Sequence, residues 1–141
     1  MGRSFLFECP RCGYRARVAG GLSDGAWFVV QTVKCSDCKE LHDTVVEMKF
    51  PVPPLGEANP HPGSKSSLPL RRLMGLKNPP TFQAAVNRLP PAGAKSYCWI
   101  KFAPACPVAS RHRVQLWRSP GKCPKCEWFL EASPLPFKRW E

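Results

Sequence analysis

Cys9-Pro10-Arg11-Cys12-Gly13 and Cys35-Ser36-Asp37-Cys38 decide how this chain is read. Two C-x-x-C hooks with 22 residues between them have the spacing of a four-thiolate metal site. Each hook offers two sulfurs from one tight turn, and two hooks complete a tetrahedron at about 2.3 Å per Zn–S bond. Four thiolates close the shell and leave no position for water or substrate. Cys9, Cys12, Cys35 and Cys38 therefore predict a structural metal rather than a catalytic one. Zinc is the expected ion, and iron is the alternative that uses the same ligands.

Composition explains why a metal is needed. The 141 residues include 17 prolines and 10 glycines, which limit regular structure. Pieces of about 45 residues bury too little apolar surface to stand without staples. Eight cysteines are available for that. The start, Met1 to Cys9, has no apolar secretory core, and Leu6 stands where a myristoylation signal wants Ser or Thr. No run of about 18 apolar residues predicts a membrane span. A reducing cytoplasm is the expected compartment, and there paired cysteines read as metal ligands rather than disulfides. No βαβ pattern surrounds either hook, so a redox C-x-x-C is disfavoured.

Alternation predicts strands on both sides of each hook: residues 4–8 into the first, Tyr14 to Val18 after it, Ala26 to Val33 into the second, Leu41 to Phe50 after it. Residues 19–25, with three glycines, read as a turn. Gly13 suits the positive φ that lets backbone N–H groups point at sulfur, whereas Lys39 departs from glycine at the matching position. This unit resembles a zinc ribbon over residues 4–50. Residues 51–69 read as a Pro-rich, extended linker. Leu70, Leu73 and Met74 have helical spacing. A short helix near 79–89 follows, starting at Asn78-Pro79-Pro80 and presenting Phe82, Ala85, Val86 and Leu89 on one face, expected to pack on a lobe. Residues 96–141 read as a second lobe with strands at 97–102, 111–117 and 128–130. Its tail is expected to fold back on that lobe through Phe137 and Trp140.

The second lobe supplies a second site. Cys123 and Cys126 form a third hook, and Cys106 is the best third ligand. The fourth is Cys98 or His112, and Cys98 is preferred because it completes a four-thiolate set. Pairing the Cys9 hook with the Cys123 hook is the alternative, but sequence-local pairing closes shorter loops and costs less entropy. Cys106-Pro107-Val108 and Pro120-Gly121-Lys122-Cys123-Pro124-Lys125-Cys126 resemble the heavy-metal-binding module found beside copper and silver export proteins. The chain lacks that module's Met and His after Cys106-Pro107, and has Glu127-Trp128 in place of Gly-Met. The whole chain resembles small bacterial double-zinc-ribbon proteins of unassigned function. The expected architecture is a small, metal-stapled, β-rich protein: an N-terminal ribbon (1–50), a basic Pro-rich linker with one or two short helices (51–95), and a zinc-knuckle lobe with tail (96–141), holding two zinc ions.

No phosphate loop, nucleophile elbow or paired catalytic carboxylates occur, so no enzyme is expected. His42 and His61 read as solvated, and Asp37, Glu40, Asp43 and Glu47 as an exposed acidic strand face. The formal charge is +11. Residues 1–50 carry +1 of it, and the two later segments carry +5 each. Lys101, Arg111, Arg113, Arg118, Lys122 and Lys125 interleave with Tyr97, Trp99, Phe102, Trp117 and Trp128. Basic side chains bind phosphates and exposed aromatics stack on unpaired bases, so nucleic acid or a nucleoprotein is the leading expected partner. Metal handling and a protein–protein adaptor role are the alternatives.

Overall fold

The computed structural model describes residues 2–51, 80–87 and 97–140. Among these residues are eight strands and one helix: β1 (Gly2–Glu8), β2 (Arg15–Val18), β3 (Leu22–Asp24), β4 (Phe28–Cys35), β5 (Glu40–Pro51), α1 (Phe82–Asn87), β6 (Tyr97–Lys101), β7 (Val114–Leu116) and β8 (Glu131–Trp140). The strand expectations around the first two hooks hold. The Gly-rich turn additionally contains β3, whose Leu22 to Asp24 pair with Gln31 to Val29. The linker and the turn at 70–74 lie outside the described residues.

The strands are not sorted by position in the chain. One sheet has the order β2-β1-β8, all antiparallel, so the first and last strands are neighbours. The other runs β3-β4-β5-β6, and β7 extends the β3 side of β4 by pairing Val114 with Cys35 and Leu116 with Val33. Residues 97–140 therefore complete sheets begun by residues 2–51. The expected lobe made of residues 96–141 alone is replaced by shared sheets, and the tail lies on β1. Pro134 and Pro136 hide β8 from a strand pattern. Proline is tolerated there because β8 is an edge strand and its register against β1 is broken by bulges.

Two cores result from this weave. Phe28, Val45, Phe50 and Ile100 form the first, with Trp140 brought in by β8 and Ala85 by α1. Thr81 caps the helix, its Oγ1 accepting the Ala84 N–H at 3.2 Å. Phe82 meets Trp140 edge-on at 5.1 Å between centroids, and Trp140 stacks on Phe28 at 5.8 Å. The helix thus docks as its apolar face required. The second core joins Phe7, Val18 and Leu41 to Trp117 and Leu130, and includes Cys9 and Cys123. Phe7 and Trp117 meet edge-on at 5.3 Å.

Asp43 is not part of a solvated acidic face. It is half-buried, and its carboxylate accepts the Ala19 N–H on both oxygens (3.0 Å each) and the Thr32 hydroxyl at 2.7 Å. Thr32 Oγ1 in turn accepts from Gly20 and Gly21 N–H, fixing the turn between β2 and β3. Burial pushes the Asp43 pKa up to about 6, against the opposing hydrogen bonds from Thr32 and Ala19.

A Cβ added to Gly2 would stand 2.0 Å from the Trp140 ring, which Phe28 and Phe82 hold in place. Gly2→Ala should therefore lower stability in urea titration by roughly 1–3 kcal/mol. The Asp43 pKa is raised on folding, so its favourable contribution is complete below the unfolded value near 3.8 and is lost as pH rises through about 6. The stability of the native chain relative to Asp43→Asn should fall by about 1 kcal/mol between pH 5 and pH 7. Metal-ligand protonation cancels in that difference.

Candidate metal centres

Each hook is a turn set between strands. Cys9 and Cys12 lie between β1 and β2, Cys35 ends β4 and Cys38 follows it before β5, and Cys123 and Cys126 lie between β7 and β8. The residue after each second cysteine is left-handed: Gly13 at φ 78°, Lys39 at 54° and Glu127 at 63°. Each donates its N–H to the carbonyl of the first cysteine, at 3.0, 2.9 and 2.9 Å. Lys39 and Glu127 thus adopt the conformation that glycine adopts at Gly13. Within the turns, Cys38 N–H points at Cys35 Sγ (3.3 Å) and Lys125 N–H at Cys123 Sγ (3.4 Å).

The hooks combine across the chain. Cys9, Cys12, Cys123 and Cys126 form one group, and Cys35, Cys38, Cys106 and His112 the other, with the ligand atoms of each within 4.8 Å of one another. The grouping of Cys9 and Cys12 with Cys35 and Cys38 is therefore corrected, as is the grouping of Cys106 with Cys123 and Cys126. Loop entropy does favour local pairing, but only weakly. Closing a loop about five times longer costs only about 1.4 kcal/mol more. The β1–β8 and β4–β7 ladders carry the hooks together and outweigh it.

Cys98 belongs to neither group. It lies on β6 opposite Phe50, half-buried and packed against the first core. Burial raises its thiol pKa and keeps it protonated. His112 takes the fourth place instead, its Nδ1 3.6 Å from Cys35 Sγ and 3.3 Å from Cys38 Sγ. The neighbouring backbone fixes it there. Arg113 donates its N–H to the Asp37 carboxylate at 2.9 Å, and its carbonyl accepts the Ser36 N–H at 3.0 Å. Asp37 thus ties β7 to the second hook, a role that sequence reasoning misses. The polar run Arg111-His112-Arg113 is the available signal, since Cys98 sits in a strand with core-facing alternation. His42, the other histidine near a hook, is half-buried beside Glu40 and outside both groups.

The spacing of the donors suits a tetrahedral ion. Cys9 and Cys126 sulfurs are 3.4 Å apart, Cys12 and Cys123 3.6 Å, and Cys38 and Cys106 3.7 Å. A tetrahedron with Zn–S bonds of about 2.3 Å has edges of about 3.8 Å. A disulfide would need about 2.05 Å. Both donor sets are compatible with a metal such as zinc.

Electrostatics agree with that assignment. Burial opposes ionisation of Cys9, but N–H groups of Cys12 and Arg11, aided by the Cys126 thiol, bring its pKa down to about 6. Cys106 comes down to about 7, where N–H groups of Ala109 and Val108 and the His112 ring outweigh burial. Cys38 is pushed up to about 12 by burial and by the thiols of Cys35 and Cys106. Thiolates held this close repel one another, and a divalent cation between them would offset that repulsion.

Of the sequence-derived basic set, Lys122 and Lys125 flank the four-cysteine group. Lys101 lies on β6 beside Glu47 (3.8 Å), Arg111 and Arg113 flank His112, and Arg118 precedes the cis Ser119-Pro120 bond. Of the sequence-derived aromatics only Trp128 lies on the hook that carries Lys122 and Lys125. Phe102 and Trp117 are buried in different cores, Tyr97 is half-buried, and Trp99 and Trp128 are exposed.

A scan of protein-family models and searches of curated proteins and of solved structures return no match.

Cobalt substitution separates the two pairings. Cys123→Ser should cost one metal equivalent and leave the absorption bands of a site with three thiolates and one imidazole, because Cys35, Cys38, Cys106 and His112 stay intact. Sequence-local pairing would leave the bands of a four-thiolate site instead. Cys98→Ser should retain both equivalents.

Proposed function

We propose that this chain is a non-enzymatic zinc module, of the zinc-ribbon kind in its knuckles, that binds nucleic acid. The closed shells support a structural role for zinc, since neither donor set leaves an open coordination position. Seven thiolates and two divalent ions lower the formal charge by three, to about +8. A surplus of that size on a small protein draws it to polyanions. Metal handling is the weaker reading, because two complete shells, one of them sharing Cys9 and Cys123 with the second core, exchange slowly. Among the described residues no helix is long and apolar enough to cross a membrane.

The observation that carries the nucleic-acid reading is the tip of the four-cysteine group. Trp128 is 50% exposed and Phe129 56%, large apolar side chains that neither core takes up. The Arg11 guanidinium carbon lies 5.4 Å from the centre of the Trp128 ring, and Lys125 Nζ lies 5.6 Å from that of Tyr14. Lys122 is bridged to Phe129. Cations held on aromatic faces beside open rings suit a strand whose phosphates and unpaired bases are both available. This tip retains Lys122, Lys125 and Trp128 from the sequence-derived set and adds Arg11 and Phe129.

Fluorescence anisotropy with labelled single strands across a salt series tests this. Affinity should fall as salt rises, with a logarithmic slope of about −0.7 per phosphate contacted. Trp128→Ala should weaken binding by roughly tenfold, and Lys125→Ala should flatten the slope by about one contact. Salt-indifferent binding, or none, would overturn the reading.

A further inference from the structure

The sulfurs of the two groups are not equally placed. Cys9, Cys35, Cys106 and Cys123 are buried, Cys38 and Cys126 are half-buried, and Cys12 alone is exposed. A small solute therefore reaches the shell from solvent at Cys12. Hydrogen bonding favours the same atom. Cys9 accepts from the N–H groups of Cys12 and Arg11, and Cys106 from those of Ala109 and Val108. Cys12 accepts from the Tyr14 N–H only. Each N–H draws electron density from sulfur, so Cys12 keeps more nucleophilic character than either. The donor sets differ as well. Four thiolates around a divalent ion leave a net double negative charge, and three with a neutral imidazole leave a single one. The four-cysteine group thus holds the more electron-rich sulfurs.

Cys12 also has a partner in place. It faces Cys123 across the two hooks, with 3.6 Å between sulfurs, while Cys9 faces Cys126 at 3.4 Å. A disulfide has its sulfurs about 2.05 Å apart, so about 1.5 Å of approach joins Cys12 to Cys123. Neither turn has to open for this. The Gly13 N–H stays on the Cys9 carbonyl and the Glu127 N–H on the Cys123 carbonyl. Glu8 opposite Glu131 keeps β1 and β8 in register beside the hooks. A bond from Cys9 to Cys12 would instead have to close inside one turn, against its own hydrogen bonds.

We propose that Cys12 is an oxidant-reactive site that takes hydrogen peroxide and is resolved by Cys123 into a disulfide joining the two hooks. This rests on zinc at the four-cysteine group, which keeps its sulfurs as thiolates. The Cys12 thiolate attacks one peroxide oxygen, forming the S–O bond of a sulfenic acid as the O–O bond breaks and hydroxide leaves. The Cys123 thiolate then attacks the Cys12 sulfur, forming the S–S bond and expelling the second oxygen as hydroxide. The two sulfurs give up two electrons, the two oxygens accept them, and two protons from solvent turn both hydroxides into water. The shell loses two donors while its hooks stay joined, so the ion is released without parting β1 from β8. The Cys35, Cys38, Cys106 and His112 group has no exposed sulfur and outlasts it.

The test treats the full chain, loaded with two equivalents of zinc, with hydrogen peroxide. A chromogenic chelator follows zinc release, and mass mapping after labelling of free thiols locates the oxidised cysteines. One equivalent should appear well before the other, together with a Cys12–Cys123 disulfide. A dithiol reductant with added zinc should restore both equivalents. A parallel Cys98→Ser chain removes the thiol that lies outside both groups from the count. Cys12→His keeps a fourth donor without the reacting sulfur, so release of the first equivalent should slow by about tenfold. Should that variant hold fewer than two equivalents, the order of release and the mapped bond in the native chain decide. Release of both equivalents at one rate, first oxidation at Cys35, Cys38 or Cys106, or a Cys9–Cys12 bond would overturn the proposal. A native chain that takes up no zinc at the four-cysteine group overturns the zinc reading and this inference with it, and that failure is seen before peroxide is added.

Discussion

Two tetrahedral donor sets shared between the beginning and the end of the chain are the constraint on which everything else rests. Neither core is large, and both mix early and late residues. Two of the thiol ligands, Cys9 and Cys123, are themselves core residues. Metal and hydrophobic burial therefore act on the same atoms. An ion at the four-cysteine group would fix where β1 and β8 begin to pair, and one at the other group would fix where β7 meets β4. Binding free energy at such sites is folding free energy, because the unfolded chain has no preformed shell.

The hooks themselves are legible in the sequence. C-x-x-C spacing reveals local geometry, and all three turns adopt it, including the two where Lys39 and Glu127 replace glycine. Alternation likewise locates β1, β2, β4 and β5, whose pattern is local. What sequence does not reveal is partnership. Which hook faces which is decided by long-range ladders, and the entropy that favours neighbours grows only with the logarithm of loop length. β8 is hidden by its prolines, which a central strand would exclude but an edge strand accepts. A complete set of four thiolates makes Cys98 the tidier ligand on paper. The polar flanks of His112 and the apolar setting of the cysteine point the other way.

The surface chemistry is legible in sum and not in detail. Basic surplus and aromatic content are properties of composition, and both are real. Their distribution depends on the fold. Burial in two cores removes Phe102 and Trp117 from the surface, while the sheet brings Arg3, near the start of the chain, onto the same face as Arg139. A charge count by segment cannot find such a pair, because its members are separated by nearly the whole chain and become neighbours only through antiparallel register.

Adjacency of the first and last strands also bears on how the protein is made. Cys9 and Cys12 leave the ribosome well before their partners Cys123 and Cys126, with more than a hundred residues still to be added. At ordinary elongation rates that delay is on the order of ten seconds. For that interval the nascent thiols have no completed shell, and Cys35 and Cys38 wait in their turn for His112. Completion of either donor set thus waits on residues 106–126, and until those emerge the earlier thiols lack the partners with which they could share an ion.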